Sequence, residues 1–208
     1  MAGGTKRLPR AVREQQMLDA AVSVFAEKGF RDTAMDTIAA AANISKPMLY
    51  LYYGSKDELF AACVNREGSR FIEAMTTGFD PNLKQRDQAR TVIYEFLHFV
   101  DTNRASWRVL YRVATAQSNF TAIVDASRAR LIEMIADLLR RGTTVEGATE
   151  TDFELMAVAL VGAGEAVADR ITEGDIDLDS ATDLVFGMGW HGLAGDKKVS
   201  GEHVSQIG

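Results

Sequence analysis

Between Ser45 and Tyr53 the chain places a cation, a thioether and two phenols at alternate positions: Lys46, Met48, Tyr50 and Tyr52. An ammonium and phenolic hydroxyls on one short element suit phosphate oxygens and base edges, which accept single hydrogen bonds and apolar contact. No Ser/His/Asp order, metal-spaced His/Cys cluster or phosphate loop accompanies them, and His98, His191 and His203 are scattered. Gly187, Gly189 and Gly192 match G-x-G-x-x-G in form, but no strand precedes them and no βαβ unit surrounds them, so no dinucleotide site is expected.

The elements around this stretch read as helices. Leu18, Ala21, Val22 and Phe25 form an i, i+3, i+4, i+7 stripe on a first helix from about Arg10 to Lys28. Gly29 falls where a left-handed terminator belongs. Thr33 is expected to cap a second short helix that ends near Ala42. Asn43 follows at a turn needing positive φ, Ser45 caps a third helix with Pro47 in its first turn, and Ser55 with Glu58 opens a fourth. A small-residue helix, a sharp turn and a short polar and aromatic helix make a helix-turn-helix, with Ile38, Ile44 and Leu49 as its core. Five further helices are expected: Thr91–Thr102 with a possible start at Lys84, Ala105–Ala116, Phe120–Arg141, Thr151–Glu173 and Asp179–Leu193. The fold class is therefore all-α with nine helices. Residues 1–62 read as the helix-turn-helix unit, 63–194 as a helical body and 195–208 as a polar tail.

Composition narrows the class. The net charge of −6 conceals an asymmetry: residues 1–62 carry eight Lys/Arg against seven Asp/Glu, residues 63–208 fifteen against twenty-two. Five of the eight N-terminal cations are Lys6, Arg7, Arg10, Arg13 and Arg31, so a basic arm precedes an acidic body, the pattern of local phosphate contact. One cysteine, Cys63, excludes an intramolecular disulfide framework. No secretory h-region follows the basic N-terminus, and the longest uncharged apolar run, Leu155 to Gly164, is too short to cross a bilayer. A cytoplasmic protein without membrane, metal or cofactor is expected.

The stretch Met35 to Phe60 resembles the TetR family. The matching residues are Ile38-Ala39, Ala42-Asn43, Ser45-Lys46, Leu49-Tyr50, Tyr53 and Lys56-Asp57-Glu58-Leu59-Phe60, with Lys28-Gly29-Phe30 matching the end of the family's first helix. Residues 13–60 carry the resemblance. Asn43 and Pro47 depart from a more usual glycine, and Asn43 preserves the turn. The resemblance implies a homodimeric regulator that binds a double-stranded operator, most simply a repressor released by a small apolar or amphipathic effector. It implies that Lys46, Met48, Tyr50 and Tyr52 enter the major groove, and that Ser45 and Pro47, at the start of their helix, also belong to the DNA-binding set. Thr33, Tyr50 and Lys56 would hold phosphates, and Lys6 and Arg7 an adjacent groove or backbone. Tyr53 reads as an inward-packing aromatic.

For the body, Phe96, Phe99, Trp107, Tyr111, Met134, Leu138, Phe153 and Met156 are candidate effector contacts, with His98 as a polar handle. Ordinary core is the competing reading for each. Gly162, Gly164, Gly187, Gly189 and Gly192 interrupt the last two helices. Each costs about 1 kcal/mol against alanine, so close helix approach is expected there. The resemblance places the dimer seam on those helices. The same scaffold serves activators and dual regulators. A small α-helical enzyme and a sequestering binding protein are the alternatives of another class.

Overall fold

The computed structural model describes residues 9–80, 82–142, 147–174 and 176–193. The basic arm with Lys6 and Arg7, the tail from Gly195 and the break at 143–146 lie outside the described residues. All described regular structure is helical: α1 Arg10–Lys28, α2 Met35–Ala41, α3 Lys46–Tyr52, α4 Lys56–Thr77, α5 Gln85–Thr102, α6 Arg104–Arg108, α7 Thr121–Gly142, α8 Glu150–Glu173 and α9 Leu178–Leu193. The expected helix Ala105–Ala116 is α6 followed directly by a π-helical stretch, Val109–Ala114. Of the two starts expected for the fifth helix, Thr91 and Lys84, the earlier one holds: α5 begins at Gln85 with Lys84 at its N-cap position.

Local chemistry explains most boundaries. Ser45 Oγ accepts from Met48 N–H at 3.4 Å and Ser55 Oγ from Glu58 N–H at 3.1 Å, starting α3 and α4. The Ser55–Glu58 box is half closed, because Glu58 accepts from Gly54 N–H at 3.1 Å instead of from Ser55. Asn43 takes φ 53°, as the turn requires, and is the one non-glycine residue at positive φ among those described. Two expectations at the α1–α2 connection change. Gly29 has φ 77° but ψ 172°, outside the left-handed helical well and accessible only without a Cβ. Thr33 does not cap α2, whose N-cap position is Ala34. Its hydroxyl donates back to Gly29 O at 2.6 Å, and the residue is buried.

Two aromatic clusters organise the core. Phe25 on α1, Phe30 after it, Phe60 on α4 and Phe120 before α7 meet with ring centroids 4.8–6.0 Å apart. Deeper in the body, Phe71 on α4 meets Phe96 and Phe99 on α5, Trp107 on α6 and Tyr111 in the π-helical stretch, at 5.3–6.4 Å. The helix α4 belongs to both clusters and runs unbroken through residue 62, where the sequence suggested a domain boundary.

The glycines of α8 and α9 divide by environment. A Cβ on Gly164 would lie 3.3 Å from Phe96 Cε1, and one on Gly189 would lie 3.0 Å from Leu160 Cδ2. Both serve packing within the chain, α8 on α5 and α9 on α8. Nothing lies within 4 Å of a Cβ built on Gly162 or Gly187. Gly164→Leu should therefore overpack the Phe71–Phe96 cluster and destabilise the fold by roughly 1–3 kcal/mol, with the sedimentation of the parent unchanged. Denaturant unfolding beside sedimentation checks this; a variant that unfolds normally yet sediments as a smaller particle would return Gly164 to an intermolecular seam.

Candidate nucleic-acid interface and effector cleft

A tight hydrogen-bonded turn sets α3 against α2. Ala42 N–H donates to Ile38 O at 2.9 Å, Asn43 N–H to Ala40 O at 3.1 Å and Ile44 N–H to Ala39 O at 3.0 Å. Ile38 and Leu49 are fully buried, and Ile44 is half-buried against the same core. With Leu49 inward, the opposite side of α3 must face solvent. That side carries Lys46, Pro47, Tyr50 and Leu51, all exposed.

Helical geometry corrects the alternating set read from the sequence. A step of two residues turns a side chain about 200° around a helix, so Lys46, Met48, Tyr50 and Tyr52 cannot share one face. Met48 and Tyr52 are half-buried and pack on the core. The Arg10 guanidinium covers the Tyr52 ring at 5.3 Å, and Arg13 Nη1 lies 3.9 Å from Met48 Sδ. Tyr53 also packs inward, and burial pushes its phenol up to about 12. The sequence reading missed Leu51, which is 83% exposed. The i, i+4 relation from Pro47 to Leu51 is the signal that would have found it.

The cations are more committed than the sequence suggested. Lys46 Nζ pairs with Asp36 on α2 at 2.9 Å, and that hydrogen bond with the aspartate charge raises the lysine pKa. Lys56, assigned to phosphate by the resemblance, donates to Phe30 O at 2.9 Å, Thr33 O at 3.1 Å and Arg31 O at 3.3 Å. Its ammonium also lies 4.6 Å from the centre of the Phe30 ring. In this geometry Lys56 fastens the α1–α2 connection to the start of α4. Thr33, likewise assigned to phosphate, is 2% exposed and has no side-chain surface to offer. Ser45 is exposed, with its hydroxyl used as the α3 cap.

The candidate effector residues separate into two places. Phe96, Phe99 and Trp107 are buried in the aromatic cluster, and the Tyr111 ring stacks on Trp107 at 3.8 Å. Burial, then the charge of Glu165, raises the Tyr111 phenol. Phe153 is buried in α8 and Met156 half-buried. His98 stacks on Tyr94 at 5.5 Å. Only Met134 and Leu138 line an open cleft of about 340 Å³ between α4 and α7, with Ile72, Phe79 and the charged Arg130, Glu133, Asp137 and Arg141. Among the described residues no group of three His, Cys, Asp or Glu could hold a metal, and no helix is long and apolar enough to cross a membrane.

Known proteins share this arrangement. Residues 17–63 match the model of the bacterial regulatory proteins of the tetR family, and residues 85–192 match a tetracyclin repressor-like C-terminal domain. The chain is 28% identical over 199 residues to the transcriptional activator FasR of Mycolicibacterium smegmatis, covering 93% of this chain and 90% of that protein. It is also 28% identical over 181 residues to the transcriptional repressor SCO4008 of Streptomyces coelicolor, covering 80% and 92%. The crystal structure of a TetR-like transcriptional regulator from Rhodococcus sp. RHA1 superposes with a TM-score of 0.81 at 59% identity, covering 91% of this chain and all of that one. With a helix-turn-helix whose α3 is exposed on one face, and family matches to both its N-terminal unit and its helical body, the chain belongs to the TetR family of DNA-binding transcription regulators.

Proposed function

We propose that the chain is a cytoplasmic repressor that binds an inverted-repeat operator as a homodimer and releases it when a small amphipathic effector enters the α4–α7 cleft. The observation that carries this reading is the continuity of α4. Its first residue, Lys56, is fastened to the connection that holds α2, and its later residue Ile72 lines the cleft. A molecule that separates α7 from α4 would tilt α4 and carry α2 and α3 with it. An activator on the same scaffold remains the second reading, favoured by the likeness to FasR. Neither reading gives the protein a catalytic step.

Lys46, Pro47, Tyr50 and Leu51 form the proposed base- and phosphate-facing surface, joined by the basic arm. For dimerisation we assign the face of α8 and α9 that carries Leu155, Val158, Leu184 and Met188, which are 61%, 37%, 54% and 62% exposed. Gly162 and Gly187, open beyond their own Cβ positions, lie on the same two helices and would let a second copy approach closely. The cleft suits an amphipathic molecule because four apolar side chains adjoin two cations and two carboxylates.

Three outcomes are expected. Tyr50→Ala should weaken binding to a selected operator duplex by roughly 1–3 kcal/mol, whereas Lys46→Ala should chiefly lower the salt dependence of binding. Footprints unchanged in both variants would remove α3 from the interface. Leu184→Glu combined with Met188→Glu should give a monomer at micromolar concentration that keeps the helical circular dichroism of the parent; a dimer in sedimentation would move the seam elsewhere. Finally, an effector that binds the cleft should lower operator affinity by about 5–150-fold, a coupling of roughly 1–3 kcal/mol, and operator must weaken effector binding equally. Calorimetry with and without operator measures both sides, and equal effector affinity in the two titrations would rule out the switch.

A further inference from the structure

The exposed face of α3 is poor in groups that read bases by hydrogen bonding. Lys46 is occupied by Asp36 at 2.9 Å, Pro47 has no N–H, and Tyr50 brings a single hydroxyl on a side chain 42% exposed. Beside them stands Leu51, 83% exposed and the most exposed large apolar side chain among the described residues. It contributes nothing to the core that Leu49, on the same helix, fills completely. Helix stability does not account for it either, since lysine or glutamine would serve a solvent position of similar propensity. An apolar side chain exposed in the last turn of a helix laid in the major groove has one base feature to recognise, the C5-methyl group of thymine.

We propose that Leu51 is a specificity-determining residue that packs on a thymine C5-methyl in each operator half-site, so that methyl burial carries part of the sequence preference. The inference rests on α3 being the DNA-recognition helix. Tyr50 neighbours Leu51 on the same face and can flank the buried methyl with its ring. Lys46, once exchanged from Asp36 to a phosphate, positions the helix without choosing a base.

The test uses the full-length protein and a duplex that it enriches from a randomised pool. Each thymine is replaced in turn by deoxyuridine, which keeps the base pairing and removes only the methyl group. At one thymine per half-site, the parent protein should lose roughly fourfold in affinity, the scale of one buried methyl. Leu51→Ala should bind the thymine and uridine duplexes equally, and Leu51→Met, which keeps an apolar reach, should retain the discrimination. Because Leu51 is exposed, both variants should keep the parent's unfolding midpoint. Indifference of the parent to uridine at every position, or a penalty that persists undiminished in Leu51→Ala, would overturn the assignment while leaving α3 as a DNA-binding helix. Failure to enrich any duplex would instead remove the reading of α3 on which the assignment rests.

Discussion

At the middle of α4 the carboxylate of Glu67 has no exposed surface and lies between two guanidinium groups, Arg66 at 2.5 Å and Arg70 at 2.8 Å. A carboxylate removed from water is tolerated only when paired and fully hydrogen-bonded, and removing one partner of such a pair typically costs about 3–5 kcal/mol. Each arginine reaches onward to a different part of the molecule. Arg66 pairs with Asp19 on α1 at 2.7 Å and donates to Gln15 at 3.1 Å, whereas Arg70 donates to Asn103, between α5 and α6, at 2.9 Å. Asn103 in turn holds Phe99 O at 3.0 Å. The relation between the helix-turn-helix unit and the body is therefore set by one charge that cannot be left unpaired. Directional bonds hold that relation more sharply than apolar packing alone, since they cannot slide without breaking.

That network sits between the two aromatic clusters on the same helix. Phe60 lies about 1.7 turns before Arg66, and Phe71 follows Arg70 directly. Together they make α4 the common wall of the helix-turn-helix core and the body core. Lys56 completes the arrangement by binding three backbone carbonyls of the α1–α2 connection. An ammonium with three carbonyl partners serves as a structural tie, and its charge at the start of α4 opposes the helix dipole. Lys56 thus works against the ordinary preference for acids in a first turn. Asp57 and Glu58 beside it satisfy that preference.

The surface proposed to meet DNA is less basic than that role suggests. Lys46 and Asp36 neutralise one another, and Arg10 is shared between Glu14 and the Tyr52 ring. Affinity for a polyanion would then depend on exchanging these internal partners for phosphates, a small loss each because surface pairs contribute little. Such a surface would bind weakly without base contacts, which would place more of the discrimination on side chains that meet base edges.

Much of this was legible in the residues themselves. The caps Ser45 and Ser55, the positive φ of Asn43, the inward Leu49 and the nine-helix order follow from local stereochemistry, because each depends on neighbours within a turn or two. Sequence spacing erred where it treated α3 as if its side chains alternated, so Met48 and Tyr52 were read as exposed and Leu51 was passed over; the helical period was enough to correct that. Other features could not be read locally at all. Whether Lys56 meets phosphate or three carbonyls, and whether Gly164 faces Phe96 or a second copy, each depend on residues far away in the chain. Those partners are brought close only by the packing of α4 and α5. Amino-acid order determined which helices form and which face of each is apolar. Tertiary packing decided which side chains are used up inside the molecule and which, Tyr50 and Leu51 above all, are left for another.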